Sequence, residues 1–152
     1  SITDQASTTA NVTQKTLTAI ASASNKSYDA TTTATVTLTF SGLIGSETLG
    51  QSVSATFSDK NVGTGKTVTV NSITLSNGSN GGLAGNYSIS SGQTSTADIT
   101  TKALTVSGIT GVNKTYDGSL GATLSTSGVT YSGLVQGIVL LLPLLERLII
   151  KI

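Results

Sequence analysis

A six-residue cassette occurs twice in this chain, as Asn25-Lys26-Ser27-Tyr28-Asp29-Ala30 and as Asn113-Lys114-Thr115-Tyr116-Asp117-Gly118. The copies stand 88 positions apart, and each follows a strand-like lead-in, Lys15-Thr16-Leu17-Thr18 and Lys102-Ala103-Leu104-Thr105, offset by 87. Ile2, Thr9, Ala10 and Val12 return at the same offset as Ile89, Thr96, Ala97 and Ile99. A fixed period of this size marks an array of like modules. It divides the chain into the end of a preceding repeat (1–14), one whole module (15–101), the start of a next repeat (102–137) and an aberrant tail (138–152). Enzymes are seldom built as beads on a string, so the repeat already weighs on function.

Composition narrows the chemistry. Charged residues make up 10% of the chain and the net charge is +1, so no electrostatic footprint invites nucleic acid or a membrane surface. There is no Cys, Met, Trp or His. Without His or Cys most metal sites and nucleophile–base pairs are excluded, and the expectation is a non-enzyme with no cofactor and no metal. The lack of Cys also means no disulfide framework, which leaves the compartment undecided. Ser1 to Gln14 is polar and has no apolar core of a secretion signal, so an exported chain would carry its targeting segment on a longer parent.

Alternation with a period of two dominates residues 15–101. In Thr33–Phe40, Val36, Leu38 and Phe40 share one face while Thr35, Thr37 and Thr39 share the other. Gln51–Ser58 repeats the pattern with Val53, Ala55 and Phe57 inward. Lys66–Ser76 alternates through Val68 and Val70, then through Ile73 and Leu75, and the break in parity predicts a bulge or bend near Asn71. Asn86–Ser90 and Ala97–Ser107 supply further strands, and turn clusters at Ser41-Gly42, Gly45, 59–61, 63–65 and 77–85 separate the runs. β-Branched Thr and Val suit a pleated, half-buried surface. The fold class read from this is all-β: antiparallel Ig-like β-sandwich repeat modules. A β-grasp-like sheet is the alternative, but it needs a helix that no stretch of 15–101 supplies.

The cassette has a structural explanation. Asp caps tight turns by accepting from a backbone N–H two residues on, and Gly tolerates positive φ. Tyr ahead of the turn packs its ring at the core edge while its hydroxyl reaches backbone, as in a tyrosine corner. Tyr28, Asp29, Tyr116, Asp117 and Gly118 are therefore expected to form a structural motif, with no catalytic, cofactor-binding or metal residue among them. Ala30 in place of Gly implies that the third position does not need positive φ.

Tyr28-Asp29, Tyr116-Asp117-Gly118, the phrase from Phe57 to Lys66 and Leu83-Ala84-Gly85-Asn86-Tyr87 resemble the YDG repeats of large filamentous-haemagglutinin-like bacterial adhesins. The resemblance covers nearly all of residues 1–137. It implies a secreted, surface-displayed repeat region, extracellular and associated with the outer membrane through its parent protein. Its partners would be the neighbouring repeat modules, with host glycans or receptors as the alternative.

From Ile138 the character changes, and the fifteen positions to Ile152 have no β alternation. A membrane span needs about 20 apolar residues; this run is shorter and holds Pro143, Glu146, Arg147 and Lys151. No membrane span is expected. As a membrane-surface helix its polar face would be only two or three residues wide. The genetic code offers a third reading. Taking each wobble base with the first two bases of the next codon, Gly137–Ile152 can spell DSVTATVTGAFDNKN, which resembles Gln51-Ser52-Val53-Ser54-Ala55-Thr56-Phe57-Ser58-Asp59-Lys60-Asn61. On this reading the tail is the product of a one-nucleotide slip within a module. If it is made as written, unpaired strand edges beside an apolar tail are an aggregation site.

Several other patterns carry less. Gly63-Thr64-Gly65-Lys66-Thr67 lacks the leading Gly and the following helix of a phosphate loop. Asp59 with Asp29 or Glu47 has no Ca²⁺-ligand spacing. Sequons at Asn11, Asn25, Asn77, Asn86 and Asn113 arise by chance in so Ser/Thr-rich a chain. The Thr35-Thr37-Thr39 face is read as solvated strand surface rather than an ice- or glycan-binding array. The function expected is a structural stalk or spacer repeat that projects binding regions from the cell surface, the alternative being an Ig-like glycan- or receptor-binding module. The tail reading is checked in the coding DNA. Shifting the frame by one base over residues 137–152 is expected to restore the module's strand pattern, and a neighbouring frame without it ends the idea.

Overall fold

The computed structural model describes residues 7–135; the apolar run 138–152, read above as a slipped frame, lies outside the described residues. The strands, in chain order, are β1 (Lys15–Thr16), β2 (Thr18–Ala23), β3 (Lys26–Ser27), β4 (Thr33–Ala34), β5 (Val36–Ser41), β6 (Leu49–Phe57) and β7 (Gly63–Asn77). They continue with β8 (Tyr87–Ser88), β9 (Thr94–Thr100), β10 (Thr105–Ser107), β11 (Thr110–Val112), β12 (Thr123–Ser125) and β13 (Thr130–Ser132). One 3-10 turn, Ala84–Asn86, precedes β8, and there is no α-helix among the described residues. The all-β reading is therefore correct, and the helix that a β-grasp sheet requires is not among the described residues.

Two compact units divide the chain: residues 7–26 with 31–100, and residues 27–30 with 101–135. In the first, a five-stranded open sheet runs in the order β3-β9-β7-β6-β4, and β2 pairs separately with β5. A short parallel pair, β1 with β8, sets Lys15 beside Tyr87 and Thr16 beside Ser88.

The period-two pattern predicts the buried faces well. Val68, Val70 and Ile99 are each 1% exposed, and Phe57, Leu38 and Leu17 are each 3% exposed. These side chains, with Ala34, Ala55, Ala97 and the Tyr87 ring, form the core. The broken parity is also explained. Ser54 pairs with Ser72 and Ala55 with Val70, so Asn71 is the extra residue of a β-bulge. The bulge moves Val70 and Val68 onto the core face, and the Asn71 amide reaches back to Thr56 Oγ1 at 3.2 Å.

Two expected strands are broken. Thr33–Phe40 splits at Thr35, because Thr33 and Ala34 pair with β6 while Val36 onward pairs with β2. The chain crosses between two sheets there, and the Ser24 N–H donates to the Thr35 carbonyl at 3.0 Å. Ala97–Ser107 likewise divides into β9 and β10 at the boundary between the two units.

The second unit repeats a local theme. In the first unit β2 and β5 pair antiparallel on either side of the first cassette, from Thr18 with Ser41 to Ala23 with Val36. In the second, β10 pairs with β13 and β11 with β12, on either side of the second cassette. Thr105 meets Ser132 and Val112 meets Thr123. Each cassette thus lies in the connection between two antiparallel strands.

Candidate functional site

The cassette region is organised by a residue that the tyrosine-and-aspartate reading passes over. On β3, the Lys26 ammonium donates to the Thr31 carbonyl at 2.8 Å, to Thr31 Oγ1 at 3.1 Å and to the Thr33 carbonyl at 3.0 Å. It also stands 5.4 Å from the centre of the Phe57 ring, within cation–π range. Lys26 belongs to one edge strand of the five-stranded sheet and Thr33 to the other. One side chain therefore ties both edges of an open sheet together, and the Phe57 N–H donates to the Thr32 carbonyl at 2.8 Å beside it.

The second cassette repeats one part of this clamp, the pair of bonds to the hydroxyl residue, 88 residues later. Lys114 donates to the Ser119 carbonyl at 2.9 Å and to Ser119 Oγ at 2.9 Å, as Lys26 does to Thr31. It also holds Asp117 Oδ1 at 2.8 Å. Asp117 accepts from the Ser119 N–H at 2.9 Å, two residues on, and this closes the turn. The Lys114 ammonium, followed by the Ser119 N–H, keeps the Asp117 carboxyl below its ordinary pKa. The signal in the sequence is a Lys two residues before each Tyr and a hydroxyl residue five after that Lys. Charge-assisted bonds to backbone oxygens explain the spacing.

Two expectations about the cassette need correction. Ala30 has φ +64° and Gly118 has φ +73°, so the third position is left-handed in both copies. Ala30 is strained rather than evidence that the turn tolerates any φ. The tyrosines also differ from each other: Tyr28 is half-buried, as a ring at the core edge would be, whereas Tyr116 is 93% exposed and departs from the corner picture. Asp29 lies exposed on the first turn.

The corner arrangement belongs to Tyr87 instead. Its ring is 4% exposed, its hydroxyl accepts from the Ile44 N–H at 3.2 Å, and its O–H donates to the Glu47 carboxylate. The bond to Glu47, together with burial, raises the Tyr87 pKa above its ordinary value. Tyr87 and Glu47 line a cleft of about 300 Å³ together with Lys15, Gln14, Ile44 and Asn86.

The phrase from Asp59 to Lys66 forms the tip of the β6–β7 hairpin. Both Asp59 oxygens accept from the Lys66 ammonium, at 2.7 and 2.8 Å, and the Asn61 N–H reaches Oδ1 at 2.7 Å. Lys66, then the Asn61 amide, hold the Asp59 carboxyl below its ordinary pKa. Lys66 is thereby committed to a hairpin, as its lack of a phosphate-loop context implies. Among the described residues no group of three or more Asp and Glu side chains could hold a metal ion.

Both units thus place a lysine, bonded to its own backbone, in the connection between antiparallel strands of an all-β chain. The chain belongs to the YDG domain family, whose model matches residues 13–97. That span includes the first cassette, the Asp59–Lys66 tip and Tyr87, while the second cassette lies beyond it. No curated protein and no solved structure matches the chain.

The strain at Ala30 gives a direct test. A left-handed Ala costs about 1–2 kcal/mol, against about 0.5–1 kcal/mol for the extra chain entropy of Gly. Ala30→Gly is expected to stabilise the chain by about 0.5–1 kcal/mol, read as a higher urea midpoint at unchanged slope. An unchanged or lower midpoint would show that the turn does not strain Ala30.

Proposed function

We propose that the chain is a stalk or spacer segment of a secreted, filamentous-haemagglutinin-like bacterial adhesin, which projects binding regions from the cell surface. The observation that carries this reading is the recurrence of one clamp, Lys26 on Thr31 and Lys114 on Ser119, in both copies of the cassette. A repeated internal fastening suits an array whose stability is summed over modules and their junctions. The polar clusters support the same view, because Lys26, Lys66 and Lys114 bind groups of their own chain rather than facing an empty site. The partners on this reading are neighbouring modules, the role is non-enzymatic, and the location is outside the cell.

The finer architecture proposed is an Ig-like sandwich with the β2–β5 pair as its second layer. Leu38 on β5 is 3% exposed, while Ile20 on β2 is 77% exposed and Thr37 and Thr39 face solvent with it. That one-sided burial supports a layer that covers a core on one face and meets water on the other.

A second reading is favoured by the cleft at Lys15, Glu47 and Asn86, where charged and amide groups surround a volume that a small glycan could enter. Glycan-array and host-cell binding of the full chain separate the two. The spacer reading predicts no saturable binding. Saturable binding that Asn86→Ala abolishes would overturn it and place recognition in the cleft.

A further inference from the structure

The loop after β7 reads Asn77-Gly78-Ser79-Asn80-Gly81-Gly82, with two asparagines each followed by glycine. A glycine after asparagine leaves its backbone nitrogen unshielded by any side chain, and that nitrogen can attack the asparagine carboxamide. The structure treats the two pairs differently.

Asn77 is held through both its backbone and its side chain. It is the last residue of β7 and pairs with Leu49, and its Oδ1 accepts from the Ala84 N–H at 2.9 Å. The nitrogen that would attack it, in Gly78, donates to the Gly82 carbonyl at 3.0 Å. Gly78 is also pressed against Thr48, whose carbonyl oxygen a Cβ at 78 would strike. Electrophile and nucleophile are both engaged, and the backbone between them has no room to rotate.

Asn80 is placed in the opposite way. It has φ +55° and Gly81 has φ +86°, the two left-handed positions of a type I′ turn closed by the Gly82 N–H on the Ser79 carbonyl at 3.1 Å. All four residues of the two pairs are exposed, so it is the bonding and not the exposure that separates them. The Asn80 carboxamide is held by one exposed bond, Nδ2 to the Ser46 carbonyl at 2.9 Å. Among the described residues the Gly81 N–H makes no backbone hydrogen bond. A short opening of the turn frees both groups, and such local openings are the low-energy ones.

We propose that Asn80 is a site of spontaneous deamidation selected by the fold, and that Asn77 is protected. The Gly81 nitrogen loses its proton to base and forms a bond to Asn80 Cγ. The Cγ–Nδ2 bond then breaks, ammonia leaves with a proton from solvent, and a five-membered succinimide remains. Water opens this ring at either carbonyl, giving aspartate or, with an extra methylene in the main chain, isoaspartate. No electron leaves or enters the protein.

The consequence is local to the turn and its neighbours. The donor to the Ser46 carbonyl is lost, and a carboxylate appears in a turn whose next residue, Gly81, stands near Glu47: a Cβ there would lie 3.9 Å from Glu47 Oε1. In the isoaspartyl form the type I′ turn itself no longer closes.

The test incubates the full folded chain in mildly alkaline buffer and follows each residue by peptide mass spectrometry with fragmentation. Conversion of amide to acid is expected at residue 80 about tenfold or more faster than at 77, reflecting the additional bonds that hold Asn77. In denaturant the two rates are expected to converge. Equal rates in the folded chain, faster reaction at 77, no reaction at either, or a difference that persists in denaturant would each overturn the proposal. Asn80→Ala supplies a control in which only the slow reaction at Asn77 should remain.

Discussion

The Lys26 ammonium holds the two ends of an open sheet in one place. A five-stranded sheet with free edges exposes rows of unpaired backbone groups. Here its edge strands, β3 and β4, are joined by the short cassette connection, and Lys26 spans them by donating to the Thr33 carbonyl at 3.0 Å and the Thr31 carbonyl at 2.8 Å. The geometry requires a strongly twisted and curled sheet, and the bulge at Asn71 supplies part of that curvature. The Phe57 ring beneath the ammonium completes the clamp and links it to the core. Turn, sheet curvature and core are thus parts of one arrangement.

Much of the fold was legible because period-two alternation reports burial directly. Val36, Leu38, Val68 and Val70 point inward or partly so, and the parity break located the bulge at Asn71. Sheet membership was not legible. Ala34, Val36 and Leu38 keep their alternation through the break at Thr35, although the chain there passes from one sheet to another. Alternation states which face is covered and is silent about which strand pairs alongside.

The cassette shows a different limit. Its Tyr, Asp and Gly drew attention as turn-forming types, whereas the structure gives the organising bonds to Lys26 and Lys114. Side-chain bonds to carbonyls five and seven residues on leave a spacing, yet nothing in local propensity marks it. Ala30 misled for a physical reason: a residue found at a position suggests that the position suits it, while a clamped turn can impose φ +64° on alanine. Tyr87, with Ile44 and Glu47 on its hydroxyl, relies on contacts across 40 or more positions that no local pattern reveals.

The stalk role proposed above rests on the recurrence of the Lys26–Thr31 and Lys114–Ser119 bonds in the two cassettes of a YDG-family chain. Native-state amide exchange on Lys26→Met tests the clamp most directly. If Lys26 holds the two edges together, the Phe57 amide, bonded to Thr32 at 2.8 Å, should exchange at least about tenfold faster in the variant. The Val53 amide, in the middle of β6, should change little. Unchanged protection at Phe57 would contradict the account, and so would an equal loss of protection at Phe57 and Val53.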